Sequence, residues 1–166
     1  MAGFITRADI ITAAMEIERK GHQFYLKAQE TAEDANAKEF FAFMAAEEIR
    51  HEKIFENMLQ RMGDATVIED RSDPEYLEYV CAILNAHMIF APETDIKGKN
   101  PFMLALSFEK DSIVYFMSML ELVPKAEQKL IEKCIEEEKG HMRAIAKKRQ
   151  EIEKDSAGYH SSIFVH

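Results

Sequence analysis

Apolar side chains recur at three- and four-residue steps in four long runs of this chain, the spacing of helices that each bury one face. The first run opens at Thr6–Asp9, a capping stretch, and continues to about Thr31 with Ile10, Ile11, Ala14, Ile17, Tyr25 and Ala28 on one side. The second extends from near Asn36 to Arg61 through Phe41, Met44, Ala45, Phe55 and Met58, with Gly63 placed to cap its C-terminus. The third follows Pro101 and carries Ala105, Leu106, Ile113, Phe116 and Leu120. Pro124 suits the first turn of the fourth, which runs to about Lys154 through Ile131, Cys134, Ile135, Met142 and Ile145.

A few residues join the first run to the second and the third to the fourth, so each pair predicts an antiparallel hairpin. Between the hairpins lies the segment 64–101, which holds a further amphipathic stretch, "PEYLEYVCAILNAHMIF". A bundle helix of ~26 residues is roughly 39 Å long at 1.5 Å per residue, and a connection of this size can return along it. The expected architecture is all-α, a four-helix bundle over residues 1–154 with one long crossover that contains an extra helix. The tail 155–166, "DSAGYHSSIFVH", has lost the helical pattern and is expected to be mobile or to dock elsewhere.

Glu48 and His51 fall on the apolar stripe of the second run, where Leu or Met would be expected. The same Glu-x-x-His spacing returns in the fourth run as Glu138 and His141. Residues three apart share a helix face, so both side chains can reach one ion. With 22 Glu in the chain, two such pairs among six His are unremarkable by themselves. The other helices change that, because Glu18 and Glu109 also sit on apolar stripes. Glu18 to Glu109 is an offset of 91 residues, and Glu48 to Glu138 and His51 to His141 are offsets of 90. At those offsets "ITAAMEIERKGHQFY" lies over "FMLALSFEKDSIVYF" and "FFAFMAAEEIRH" over "LIEKCIEEEKGH", an internal repeat of the whole hairpin.

Four carboxylates facing each other in a core would each meet a desolvation cost of several kcal/mol, plus mutual repulsion. Two divalent cations remove both difficulties, and two neutral imidazoles complete the shells. Oxygen-rich ligation with one nitrogen per ion suits iron or manganese better than copper, and the lack of thiolates disfavours structural zinc. The expected arrangement has Glu48 and Glu138 bridging, Glu18 and Glu109 terminal, and one histidine on each ion, the ligand set of di-iron carboxylate bundles.

Composition narrows the function classes. Thirty acidic against twenty-one basic residues give a formal charge of −9, the wrong sign for binding nucleic acid. The two cysteines, Cys81 and Cys134, form no CxxC pair, which excludes a rubredoxin-like or zinc-ribbon module. No stretch approaches the ~18 apolar residues of a membrane span, and the N-terminus lacks the pattern of a signal peptide. A reduced, cytoplasmic setting with no membrane partner is the expectation.

The stretches "AMEIERKGHQFY", "AAEEIRHEKIF", "SFEKDSIVYF" and "EEEKGHMRAI" together make the chain resemble a rubrerythrin-like member of the ferritin-like superfamily. The resemblance implies a ferritin-like fold and a centre of two iron ions, with manganese or zinc as other ions such a set can hold. It implies the metal ligands Glu18, Glu48, His51, Glu109, Glu138 and His141, and reaction with peroxide or dioxygen. Tyr25, seven residues after Glu18, matches a tyrosine these families often keep near the iron, and is the candidate catalytic side chain beside a purely packed, hydrogen-bonded role. Two features depart from the family pattern. No cysteine pattern could build the appended rubredoxin domain, so the reductant must be an external donor such as a rubredoxin-type protein. Ser112 stands where rubrerythrins carry an additional carboxylate, and the remaining symmetric set resembles the centre of bacterioferritin as much.

Around the motifs, Glu47, Glu52, Glu136 and Glu137 are expected to be solvated surface charges, His22 a surface residue, His87 a packed or interface histidine, and both cysteines buried small hydrophobes. The leading function is a di-iron oxidoreductase that reduces hydrogen peroxide or dioxygen. Iron handling by ferroxidation, sequestration or delivery, a redox-inert metal-binding bundle, and manganese catalase-like dismutation are the alternatives. A homodimer formed partly through residues 74–90 is expected, rather than a storage cage.

Overall fold

Thr6 caps the first helix as its position predicts: its hydroxyl accepts from the Asp9 amide at 3.1 Å, and the Asp9 carboxylate accepts from the Thr6 amide at 2.7 Å. This computed structural model describes residues 6–62, 74–86, 96 and 98–163, and within them five helices follow one another: α1 (Arg7–Thr31), α2 (Ala35–Met62), α3 (Pro74–Ala86), α4 (Pro101–Met119) and α5 (Lys125–Ile163). A single 3-10 turn, Leu120–Leu122, connects the last two. Gly63, expected to cap α2, and His87 lie outside the described residues.

The start of α4 is set by three neighbouring residues. Gly98 takes a positive φ of 73°, Asn100 accepts from the amides of Phe102 and Met103, and Pro101 begins the helix where its missing N–H is not needed. Pro124 is one residue earlier than expected: it precedes α5, and its carbonyl accepts from the Glu127 amide at 2.9 Å.

The end of α5 departs further from expectation. The helix continues through residues 155–163, where the sequence pattern predicts a tail, and stops at Ile163. This stretch holds Ser156, Gly158, Ser161 and Ser162, poor helix formers without an apolar stripe. Extension from a helix already nucleated and packed adds one hydrogen bond per residue, so weak local propensity suffices to carry it on.

Antiparallel packing joins α1 to α2, α4 to α5, α1 to α4 and α2 to α5, leaving α2 and α4 diagonal and parallel. The α1–α4 contact is pinned near one end by the Tyr115 hydroxyl on the Ile10 carbonyl (2.8 Å) and by Arg7 on the Leu122 carbonyl (3.1 Å). Arg61 on α2 holds Glu127 on α5 at 2.7 Å. The crossover helix α3 lies outside this four-helix core, against α4: Val80 is buried and the Tyr76 hydroxyl donates to the Ser118 carbonyl at 2.6 Å. The core is apolar at both ends. Tyr25, Phe41, Phe102 and Phe108 pack stacked, edge-to-face or tilted on one side, and Phe55 and Phe116 tilted on the other, with ring centroids 4.8 to 6.3 Å apart. Each such side chain contributes roughly 1.5–3 kcal/mol on burial. Between the two aromatic layers lies a polar one.

Candidate metal centre

All six expected ligands come together in that polar layer. Glu18, Glu48, Glu109 and Glu138 are at most 1% exposed, His51 is fully buried and His141 is 6% exposed. Each is there because it occupies an inward stripe position on its helix, α1, α2, α4 or α5 respectively, so no loop is needed to deliver any of them.

Glu138 stands at the centre. Its Oε1 is 2.6 Å from His51 Nδ1 and its Oε2 is 2.8 Å from His141 Nδ1. The imidazole rings are 5.5 Å apart and near parallel, at 28°. Glu18 Oε2 lies 3.8 Å from His51 Nδ1, and Glu109 Oε2 lies 3.9 Å from His141 Nδ1, so each histidine has its own carboxylate from a neighbouring helix. Two overlapping sets, His51–Glu138–His141 and Glu48–Glu109–Glu138–His141, have ligand atoms all within 4.8 Å of one another, close enough to share an ion. Among the described residues, Glu18 Oε1, Glu48 Oε1, His51 Nδ1, Glu109 Oε2 and Glu138 Oε1 are buried without a hydrogen-bond partner. Native interiors rarely tolerate so many orphaned polar atoms in one place. The 2.6 Å approach of His51 Nδ1 to Glu138 Oε1 lacks hydrogen-bond geometry; the two atoms sit side by side, as two ligands of one ion do. The residues therefore fit a pair of cations.

Without cations, protons have to do the neutralising. Burial, followed by the Glu138 charge, pushes Glu18 up to about 8. Burial raises Glu48 and Glu109 well above the carboxylate range, with further contributions from Glu18 on Glu48 and from Glu138 on Glu109. Burial also acts to raise Glu138, but the hydrogen bond from His141 and the adjacent His51 imidazole outweigh it and hold the group ionised. For His51 burial favours the neutral ring, yet Glu138 overrides it and brings the imidazole up to about 9.

Tyr25 is fully buried on α1 and donates its hydroxyl to Glu109 Oε1 on α4. Burial, then the Glu109 charge, keeps its phenol protonated far beyond neutral pH. Gly21 is what lets α1 approach: a Cβ there would stand 2.7 Å from both Glu48 Oε2 and the Phe108 ring. Ser112 turns its hydroxyl to the Phe108 carbonyl at 3.1 Å, within its own helix. Cys134 is buried one turn before Glu138, and burial together with the Glu18 charge pushes its thiol up to about 12.

Several neighbours differ from their expected roles. Glu47 and Glu137 are half-buried rather than solvated, and both take part in the site's outer edge: Glu137 Oε2 is 2.9 Å from His51 Nε2, and Glu47 Oε2 is 3.6 Å from His141 Nε2. Arg50 joins them, at 2.6 Å from Glu47 and 2.9 Å from Glu137. The signal was present, since the Glu-Glu doublets 47–48 and 137–138 repeat at the same 90-residue offset as the ligands. Glu136 is a surface charge as expected, and Glu52 pairs with Arg19. His22 is half-buried, its Nδ1 donating to the Ala45 carbonyl at 2.9 Å across the first hairpin. Cys81 is half-buried and Cys134 fully so.

Residues 9–87 match the Rubrerythrin family model, a span of just under half the chain that includes Glu18, Tyr25, Glu48 and His51 and ends before Glu109. No curated protein matches the chain. A crystal structure from Thermotoga maritima, described as that of a ferritin-like diiron-carboxylate protein, is similar at 22% identity with a TM-score of 0.62, covering 91% of this chain and 99% of that one. At that identity the likeness speaks for the fold. No helix among the described residues is long and apolar enough to cross a membrane.

Proposed function

We propose that this rubrerythrin-like protein of ferritin-like fold is an oxidoreductase that reduces hydrogen peroxide or dioxygen at two iron ions, with electrons from an external donor such as a rubredoxin-type protein. The observation that carries the reading is the convergence of five partnerless buried ligand atoms between four carboxylates and two imidazole Nδ1 atoms. In this reading Glu18, Glu48, His51, Glu109, Glu138 and His141 would hold the two ions, with Glu18 beside His51 and Glu109 beside His141. Bound there, two ferrous ions would supply the two electrons that cleavage of an O–O bond requires and would polarise the oxidant.

The chain's own residues account for the rest. Phe108, Phe41 and Tyr25 close one side of the polar layer and Phe55 and Phe116 the other, which excludes bulk water and strengthens every charge interaction within. Tyr25 keeps its proton and aims it at Glu109 Oε1, so it orients that carboxylate and is placed to give a proton toward the reacting side. The single buried cysteine near the site holds its thiol protonated, which leaves the oxygen and nitrogen donors as the ligand set. A reduced cytoplasmic setting and a homodimer using residues 74–90 complete the proposal.

Ser112 favours a second reading, ferroxidation with iron sequestration or delivery. Its hydroxyl is turned to the Phe108 carbonyl, leaving a set of six ligands without the additional carboxylate. One experiment separates the two. Ferrous protein mixed anaerobically with stoichiometric hydrogen peroxide should oxidise rapidly by absorbance, and Glu48→Ala should abolish the change. Repeated turnover with added reductant is the expected result for an oxidoreductase, a single round of oxidation the result for iron handling. Absence of any rapid oxidation rules out both.

A further inference from the structure

At the outer edge of the centre, Arg50 Nη2 has two hydrogens and both are taken, one by Glu47 Oε2 at 2.6 Å and one by Glu137 Oε2 at 2.9 Å. His51 Nε2 lies 3.2 Å from that same nitrogen and 2.9 Å from Glu137 Oε2. With no hydrogen left on Nη2 to accept, Nε2 must carry its own and donate it to Glu137. In the neutral ring the imidazole lone pair is thereby placed on Nδ1, the atom that faces Glu138 and Glu18. The arrangement is crossed. Glu137 on α5 serves the histidine of α2, and Glu47 on α2 faces the histidine of α5. At the repeat offset of 90 residues the counterpart of Arg50 is Gly140, so one guanidinium serves both halves.

We propose that Glu47, Arg50 and Glu137 form a positioning clamp that fixes the two imidazoles with Nδ1 turned to the cations. It rests on the metal-centre reading above and adds three residues that touch neither ion. Carboxylates that accept the far N–H of a metal-bound histidine typically matter by about 10- to 100-fold in metal affinity. The clamp also ties α2 to α5 at the level of the site, so its loss acts on orientation before it acts on folding.

The test is a Co2+ titration followed by its ligand-field absorbance, with a parallel 15N NMR spectrum of the Zn2+-loaded protein to observe the His51 Nε2–H. Glu137→Ala should weaken Co2+ binding by about 10- to 100-fold with the stoichiometry kept, and the slowly exchanging Nε2–H signal should be lost. Glu137→Gln, whose amide oxygen still accepts, should recover most of both. Arg50→Ala should weaken Co2+ binding too, and Glu136→Ala, at an exposed neighbouring position, should change nothing. Circular dichroism of each metal-free variant checks that it is folded; if Glu137→Ala is not, Arg50→Ala set against Glu137→Gln carries the comparison. Wild-type affinity and an unaltered N–H in the clamp variants would overturn the proposal, as would a Gln variant no better than Ala. Failure of the underlying reading looks different: the wild-type protein would take up no Co2+, or Glu48→Ala would bind it equally well.

Discussion

Gly21 and Tyr25 show how much a single side chain on α1 decides at the centre. Gly21 has an ordinary helical backbone, so its value is the missing Cβ: the space is filled by Glu48 Oε2 and the Phe108 ring, each 2.7 Å from where that atom would be. Gly21→Ala gains roughly 1 kcal/mol of helix propensity but overpacks a full core, which costs about 1–3 kcal/mol and displaces Glu48. The variant should melt no higher than wild type and bind Co2+ more weakly, by thermal melts and metal titration; a more stable variant with unchanged binding would show the approach to be loose. In the repeat, Gly21 aligns with Ser112 and Tyr25 with Phe116, so the Tyr25 phenol on Glu109 has no counterpart at the matching position of the second hairpin. The six clustered residues were legible in the sequence because each puts a carboxylate or an imidazole on a stripe where a polar group is expensive to bury. For Glu47 and Glu137 the repeat of the Glu-Glu doublet was there to see, but not their role, because a half-buried glutamate one position off the stripe reads the same as a solvated one until the facing helix is in place.

At the scale of elements, the helix starts and the ends of α1 and α2 agree with the sequence periodicity to within about a residue, and the end of α5 does not. Starts are marked by side chains that satisfy free amides: Thr6 with Asp9, and Asn100 with Pro101. Thr6→Ala removes one half of the capping box and should destabilise the protein by about 1 kcal/mol, a fall of roughly 2–4 °C in melting temperature, without altering metal binding. A larger loss would mean that Thr6 has a tertiary role as well. Ends are governed by what a helix packs against and what lies upstream of it. Nothing in "SAGYHSSI" announces a helix, and α5 nevertheless runs through it to Ile163.

The whole molecule is a bundle with a charged layer in its middle, and its stability should respond to pH accordingly. In the metal-free protein Glu18 is raised from 4.5 to about 8, chiefly by burial, and His51 is raised from 6.5 to about 9 by Glu138 against the pull of burial. Both groups bind protons more tightly folded than unfolded. The Glu18 contribution is thus complete below about pH 4.5 and lost as pH rises through about 8; that of His51 is complete below about 6.5 and lost through about 9. Metal-free protein should therefore melt several degrees lower near pH 9 than near pH 6. In the loaded protein cations take the place of those protons, so the gap between loaded and metal-free melting temperatures should widen with pH. Melts across that range check it, and a flat or rising metal-free curve would show the buried carboxylates to be neutralised in another way.

From the sequence alone came the four amphipathic helices, their pairing into two repeated hairpins, and the four carboxylates and two histidines on their apolar faces. These follow from periodicity and from the free-energy penalty of a buried charge, both of which act locally along a helix. Tertiary structure decided which atoms meet. It placed Glu138 between the two Nδ1 atoms, brought Glu47 and Glu137 across to the histidines of the opposite helix, and set Arg50 over both. Those are contacts between α2 and α5, some ninety residues apart, and a relation between faces is settled only when the helices pack.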